Sequence, residues 1–211
     1  MQDPYVYPNT RTLKNRLSIK DPDFIRKIEA DYTSLRLREL TENPLTGCYD
    51  LSHLKRLHRY LFQDLYDWAG EFRRINIEKE EPVLGGLSVE YADHNTITEQ
   101  VTSCLQQMTQ RSWHQMQPTE FAQHFCFDMA SLWKIHPFRE GNTRTVITFC
   151  CQFAEDQQLA IRREIFEENS VYMRAALVAY NAVFHDLGDL SKKGYLERIV
   201  QDAFSSPEQP R

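Results

Sequence analysis

Apolar residues recur at three- and four-residue spacing along most of this chain, and that period predicts helices. Asp23 to Leu40 carries Phe24, Ile28, Tyr32, Leu35 and Leu37 and stops before Asn43-Pro44. Ser52 reads as the cap of a helix running to about Ala69, with Leu54, Leu57, Leu61, Leu65 and Trp68 on one face. His94 to Met108, Glu120 to Ile135, Arg163 to Phe184 and Lys193 to Phe204 complete the set, and Thr145 to Phe153 is apolar without Gly or Pro. The Glu120–Ile135 segment places Phe121, Phe125, Met129 and Leu132 on one stripe. A different pattern interrupts the helices once. Ile75, Asn76 and Ile77, then Val83 and Leu84, flank a charged turn and precede Gly85-Gly86, which suits a hairpin or an irregular flap. The expected fold is an all-α bundle carrying one small hairpin.

Polar chemistry concentrates where two of these helices meet. His136-Pro137-Phe138-Arg139-Glu140-Gly141-Asn142-Thr143-Arg144 joins Ile135 to a buried helix that starts at or just after Asn142. Pro137 and Gly141 suit a tight connection. The first amides of the second helix lack partners within it, and with the helix dipole they form an anion site. Gly141 would let the backbone approach a phosphate, and Asn142 with the amides of Thr143 and Arg144 would donate to its oxygens. Arg144 adds a planar fork for phosphate. Glu140 makes sense among these donors if it holds Mg²⁺ between phosphate oxygens. His136 is the side chain able to take a proton near neutral pH.

The nine residues from His136 to Arg144 resemble the signature of the Fic (filamentation induced by cAMP) family, His-x-Phe-x-[Asp/Glu]-Gly-Asn-[Gly/Lys]-Arg, departing from it at Thr143. A second block, Leu57 to Arg73 (LHRYLFQDLYDWAGEFR), is also similar to the family, and the likeness runs over about residues 3 to 200. The resemblance implies a protein adenylyltransferase that moves AMP from Mg-ATP to a hydroxyl side chain of a target protein. In it His136 would be the general base, Glu140 the Mg²⁺ ligand, Gly141, Asn142, Thr143 and Arg144 the phosphate cradle, and Phe138 the buried anchor of the loop. Tyr180 and Asn181 would lie by the adenine. Ile75, Asn76, Ile77, Val83 and Leu84 would form a flap that docks an extended target segment by strand addition.

Two departures bear on activity and control. Ile147 stands where many members carry a second arginine that reaches the γ-phosphate. No Ser or Thr is followed four residues later by Glu, so the family's usual inhibitory motif is absent. Control by a separate inhibitor protein, by a lock through Glu197, or no inhibition at all stay open. Removal of AMP, transfer of another phosphate-containing group, and a non-catalytic nucleotide- or protein-binding Fic module are the alternatives to AMP transfer.

Composition narrows the setting. The 211 residues suffice for one good core, with residues 1–22 an extended segment, 23–204 the Fic domain and 205–211 a flexible tail. A net charge of −5 argues against nucleic acid as the main partner. Five cysteines lack Cys-x-x-Cys spacing, and adjacent Cys150 and Cys151 read as small core residues, which fits a reducing cytosol in a bacterial cell. No signal peptide or membrane span is expected, and delivery into another cell by a secretion apparatus is compatible with that. His53 and His58, five apart, miss the spacing of a helical zinc pair.

Overall fold

The structure, a computed structural model, describes residues 3–205. Eight α-helices carry it: α1 (Pro22–Glu42), α2 (Leu51–Phe62), α3 (Ile97–Thr109), α4 (Pro118–Ile135), α5 (Asn142–Asp156), α6 (Glu164–Glu168), α7 (Ser170–Tyr180) and α8 (Gly194–Phe204). The central helix is α4, packed by α3, α5, α7 and α8, and its second half, from Asp128, is buried almost all round, with Met129, Leu132 and Trp133 inside. The fold class matches the expectation of a helical bundle with one two-stranded hairpin. Cys150 and Cys151 fill the core as expected, and Cys126 is buried in the bundle as well.

Helix starts follow local chemistry more closely than the apolar period alone suggests. Asp21 caps α1 by accepting from the amides of Asp23 and Phe24, with Pro22 in the first turn. Asp50, not Ser52, caps α2, accepting from the His53 amide at 2.8 Å. This helix ends at Phe62 rather than near Ala69. Residues 63–70 continue as turns that still bury Leu65, Tyr66 and Ala69, so the apolar period survives without the helix. Gly70, at φ +85, closes the segment by donating its amide to His58 Nδ1 at 2.8 Å.

Three other expectations need correction. On α1, Phe24, Tyr32 and Leu35 are exposed, while Ile25, Thr33 and Leu40 face inward. The stretch from Arg163 to Phe184 is broken at Asn169, whose side-chain amide turns back to the Ile165 carbonyl at 2.8 Å. The hairpin is β1 (Val183–Phe184) with β2 (Gly188–Asp189), antiparallel in the register Val183↔Asp189 and Phe184↔Gly188. Residues 75–89 hold no strand; the irregular flap is the alternative that formed, with a 3₁₀ turn at Pro82–Leu84. There Glu81 donates its amide to the Leu87 carbonyl, across Gly85 and Gly86 at positive φ. On α4, His124 faces Glu120, and Asp128 is buried and gripped by Arg111 at 2.6 and 2.8 Å.

The N-terminal segment is extended and lies on the bundle. An isolated bridge joins Val6 to Leu13, and Tyr5 meets Trp68 edge-on at 5.6 Å. Asp3 accepts from Arg139 in the loop between α4 and α5, at 2.7 and 3.1 Å. The expected tail lies, beyond Ser205, outside the described residues. Among the described residues no helix is long and apolar enough to cross a membrane.

Candidate active site

Two left-handed residues bend the chain between α4 and α5. His136 ends α4 at φ 52 and ψ 57, and Gly141 precedes α5 at φ 80 and ψ 8. A Cβ on Gly141 would fall 2.2 Å from Phe62 Cζ. The glycine is therefore required by φ and by the ring behind it, a cause distinct from close approach to a phosphate.

The floor of the loop is closed by paired hydrogen bonds. Asn142 Oδ1 accepts from the Phe138 amide at 2.9 Å and its Nδ2 donates to the Phe138 carbonyl at 2.8 Å. Both ends of the Asn142 amide are thus spent on the loop, which leaves its backbone N–H as its remaining donor. Phe138 is fully buried and stacks on His58 at 3.7 Å. His58 accepts from Gly70 at Nδ1, so Nε2 carries the proton and donates to the Glu140 carbonyl at 3.0 Å. Burial pushes the His58 imidazole down to about 3, against the opposing pull of the Glu140 carbonyl.

Arg73 ties the other side. Buried to 2 % exposure, it donates through Nε to the His136 carbonyl at 2.8 Å and through Nη1 to Ile75, with Nη2 on Ala92. Its backbone amide meets the Pro137 carbonyl at 2.9 Å. One side chain so fixes the loop to both ends of the flap. The residue closes the second sequence block, yet nothing local in the sequence assigns it this task.

His136 is 1 % exposed. Nδ1 lies 3.3 Å from the Trp133 carbonyl, Tyr91 stacks on the ring at 4.0 Å, and Nε2 has no partner. Nδ1 is the donor in this geometry, which leaves a lone pair on Nε2. Burial first, then Lys79 and Arg174, hold the imidazolium form well below the usual histidine range, outweighing Glu140. The ring is neutral near pH 7.

Glu140 is an ionised carboxylate. Burial alone would raise it, but Lys79, the Gly141 amide and Arg144 together depress it well below the usual range. Its Oε1 accepts from Gly141 N at 2.9 Å, and Oε2 meets Lys79 Nζ at 3.0 Å. Lys79 comes from the flap, and a flap acid, Glu81, is buried against Arg174 of α7 at 2.6 Å. These cross-links were hidden in the sequence, where Glu78-Lys79-Glu80-Glu81 reads as a solvated turn.

The cradle residues are only partly aimed at one point. The amides of Asn142, Thr143 and Arg144 head α5, since the first helical bond there runs from Thr145 to Gly141. Thr143 Oγ1 accepts from Trp133 Nε1 at 2.9 Å. Arg144 turns to α1, where Glu29 and Thr33 take it. Ile147 lines a cavity of about 600 Å³ beside Thr143 and Arg144. Of the flap residues, Ile75, Ile77 and Leu84 are half-buried while Asn76 and Val83 are exposed. Tyr180 is buried at the end of α7, and Asn181 caps that helix, its Nδ2 donating to Ala130 and Leu177. Asn181 lines a second cavity of about 580 Å³ with Tyr91 and Lys134. Glu197 makes no hydrogen bond or ion pair to the loop among the described residues; it lies by Cys126 and Tyr180.

Among the described residues no three His, Cys, Asp or Glu side chains cluster as metal ligands. One carboxylate beside an anion cradle suits Mg²⁺, which keeps waters and takes one or two carboxylates with phosphate oxygens. The Lys79 ammonium at 3.0 Å shows that the Glu140 carboxylate accepts a cation at that position.

A buried neutral imidazole, an ionised carboxylate and a helix N-terminus with unpartnered amides meet on one short loop. Residues 48–154, which span both sequence blocks, match the model of the Fic/DOC family, and the chain belongs to that family. It is 33% identical over 153 residues to a probable protein adenylyltransferase, y4lH, of Sinorhizobium fredii, with 71% of this chain and 73% of that protein covered. It is 32% identical over 180 residues to the protein adenylyltransferase VbhT of Bartonella schoenbuchensis, covering 84% of this chain and 36% of VbhT, so it spans about a third of that protein. The fold is similar to the crystal structure, with bound AMPPNP, of BepC, a VirB-translocated effector of Bartonella tribocorum, at a TM-score of 0.76 and 20% identity over 97% of each chain.

Proposed function

We propose that this chain transfers AMP from Mg-ATP to a hydroxyl side chain of a target protein, with His136 as the general base. The observation that carries the reading is the unpartnered lone pair of neutral His136 Nε2 at the edge of a loop whose helix amides are free. The hydroxyl oxygen attacks the α-phosphorus, the bond from that phosphorus to the α–β bridging oxygen breaks, and pyrophosphate leaves with its electron pair. The hydroxyl proton passes to His136 Nε2. The amides of Asn142, Thr143 and Arg144 hold the phosphate oxygens, and Arg144 adds charge. Bound Mg²⁺ would be held by Glu140 and would neutralise phosphate charge. The flap of Ile75–Ile77 and Val83–Leu84 aligns the target by its backbone. Names of relatives support the activity: both curated proteins above are protein adenylyltransferases, one of them probable.

The same reading sets the setting and its rivals. BepC is a translocated effector, which supports delivery into another cell for this chain as well. A separate inhibitor protein is one of the routes of control left open. The apolar Ile147 in the wall of the 600 Å³ cavity favours, as a second reading, AMP removal or transfer of another phosphate-containing group. Incubation with Mg-ATP and lysate proteins, beside His136→Ala, tests the first. His136-dependent AMP on protein, with matching pyrophosphate release, is expected. Nucleotide binding without either product would contradict it and leave a binding module.

A further inference from the structure

We propose that Glu29 of α1 is a positioning residue that, with Thr33 and Tyr66, fixes the Arg144 guanidinium beside the N-terminus of α5. The inference rests on reading the loop as a phosphate cradle and names a determinant that lies outside both sequence blocks. Arg144 Nη1 donates to Thr33 Oγ1 at 2.8 Å and Nη2 donates to Glu29 Oε1. Thr33 in turn donates its hydroxyl to the Glu29 carbonyl at 2.7 Å, one helical turn back, so its lone pairs face Arg144. Tyr66 donates its hydroxyl to the other carboxylate oxygen of Glu29. Burial and the Glu29 charge both push the Tyr66 phenol upward, which keeps it a donor. The guanidinium lies over the Phe62 ring at 4.9 Å, and the same ring backs Gly141. One aromatic ring therefore lies against both the arginine and the loop glycine.

This arrangement orients the arginine without consuming it. A guanidinium has five N–H donors, and two of them go to α1 here. Arg144 also lines the 600 Å³ cavity, so its remaining donors stand where an anion can enter. A free arginine loses rotamer entropy when an anion captures it, and a pre-held one has already lost it. The opposite role, Glu29 drawing the arginine away from an anion, gives the opposite sign on substitution.

The experiment is a double-mutant cycle on the full chain, reading Mg-ATP affinity by calorimetry and kcat and KM for AMP transfer. Glu29→Ala is expected to weaken Mg-ATP binding about tenfold in the wild-type background, with the loss in KM exceeding that in kcat. In an Arg144→Ala background the same change is expected to cost less than about twofold. Glu29→Gln, which keeps an acceptor oxygen, should fall between, and Thr33→Val should act in the same direction. Thermal denaturation checks each fold, and the Gln and Val variants carry the test if the Ala variant does not fold. An equal loss in both backgrounds would make Glu29 merely structural, and tighter binding would make it a competitor; either overturns the proposal. Binding that depends on Arg144 but not on Glu29 sinks this inference alone. No Mg-ATP binding by the wild type sinks it together with the cradle reading.

Discussion

The floor and the cover of the site are held in different ways. Beneath the loop, Asn142 is stapled to Phe138 in both directions, His58 has both nitrogens engaged, and Phe62 blocks any side chain on Gly141. Above it, Lys79 and Glu81 reach Glu140 and Arg174 as ion pairs, while His136 Nε2 and the Tyr91 hydroxyl are buried without partners. Satisfied neutral hydrogen bonds fix a geometry; ion pairs near solvent and orphaned polar atoms mark contacts that other groups can replace. At 1 % exposure, His136 cannot serve the proposed role toward a hydroxyl until the cover shifts. The comparison thus teaches that the floor is preorganised and that the cover must yield to substrate.

Breaking the floor should have the largest effect. Gly141→Ala forces a Cβ into Phe62 and strains φ +80, at an expected loss of about 3 kcal/mol in chemical denaturation. Asn142→Ala strips partners from a buried amide and carbonyl of Phe138, with an expected loss of about 2 kcal/mol by the same measurement. A loss below about 0.5 kcal/mol in either would dissolve the distinction from the cover.

The floor also carries a pH signature. The His58 pKa is depressed on folding, so the unfolded chain binds more protons between about pH 6.5 and about pH 3. Its contribution is present above about pH 6.5 and is lost as pH falls through that window. His53 and His136 are shifted in the same direction. Denaturation from pH 7 to 4 should show falling stability, and His58→Gln should make that slope shallower. An unchanged slope would place the proton elsewhere.

Loosening the cover should have the smallest effect on stability. Lys79→Met removes a partly exposed ion pair, so global stability should change by less than about 1 kcal/mol. Proteolysis within residues 78–88 should accelerate several-fold, and apparent Mg²⁺ affinity in the presence of ATP should rise as the Glu140 carboxylate is freed. Unchanged cleavage would mean that Lys79 does not hold the flap.

Legibility in the sequence followed the same divide. Helices with buried stripes, and a loop whose residue types sit within nine positions, could be read from spacing. The end of α2 at Phe62 could not, because turns through Tyr66 and Ala69 bury the same apolar residues that a helix would. Nor could the break at Asn169, made by one side chain returning to its own backbone. The reason for Gly141 lies 79 positions earlier, in Phe62. Lys79, Arg73 and Glu29 act through distant partners, and charge in a flap or on an amphipathic helix resembles ordinary solvated surface.

The most direct test of the functional account uses ATP radiolabelled at the α-phosphate in one reaction and at the γ-phosphate in another. Each is incubated with Mg²⁺, the protein and target lysate, beside His136→Ala. Protein-bound label from the α-position alone, lost with His136, is the expected result. Label from the γ-position, or α-label that survives His136→Ala, would contradict AMP transfer with His136 as the base.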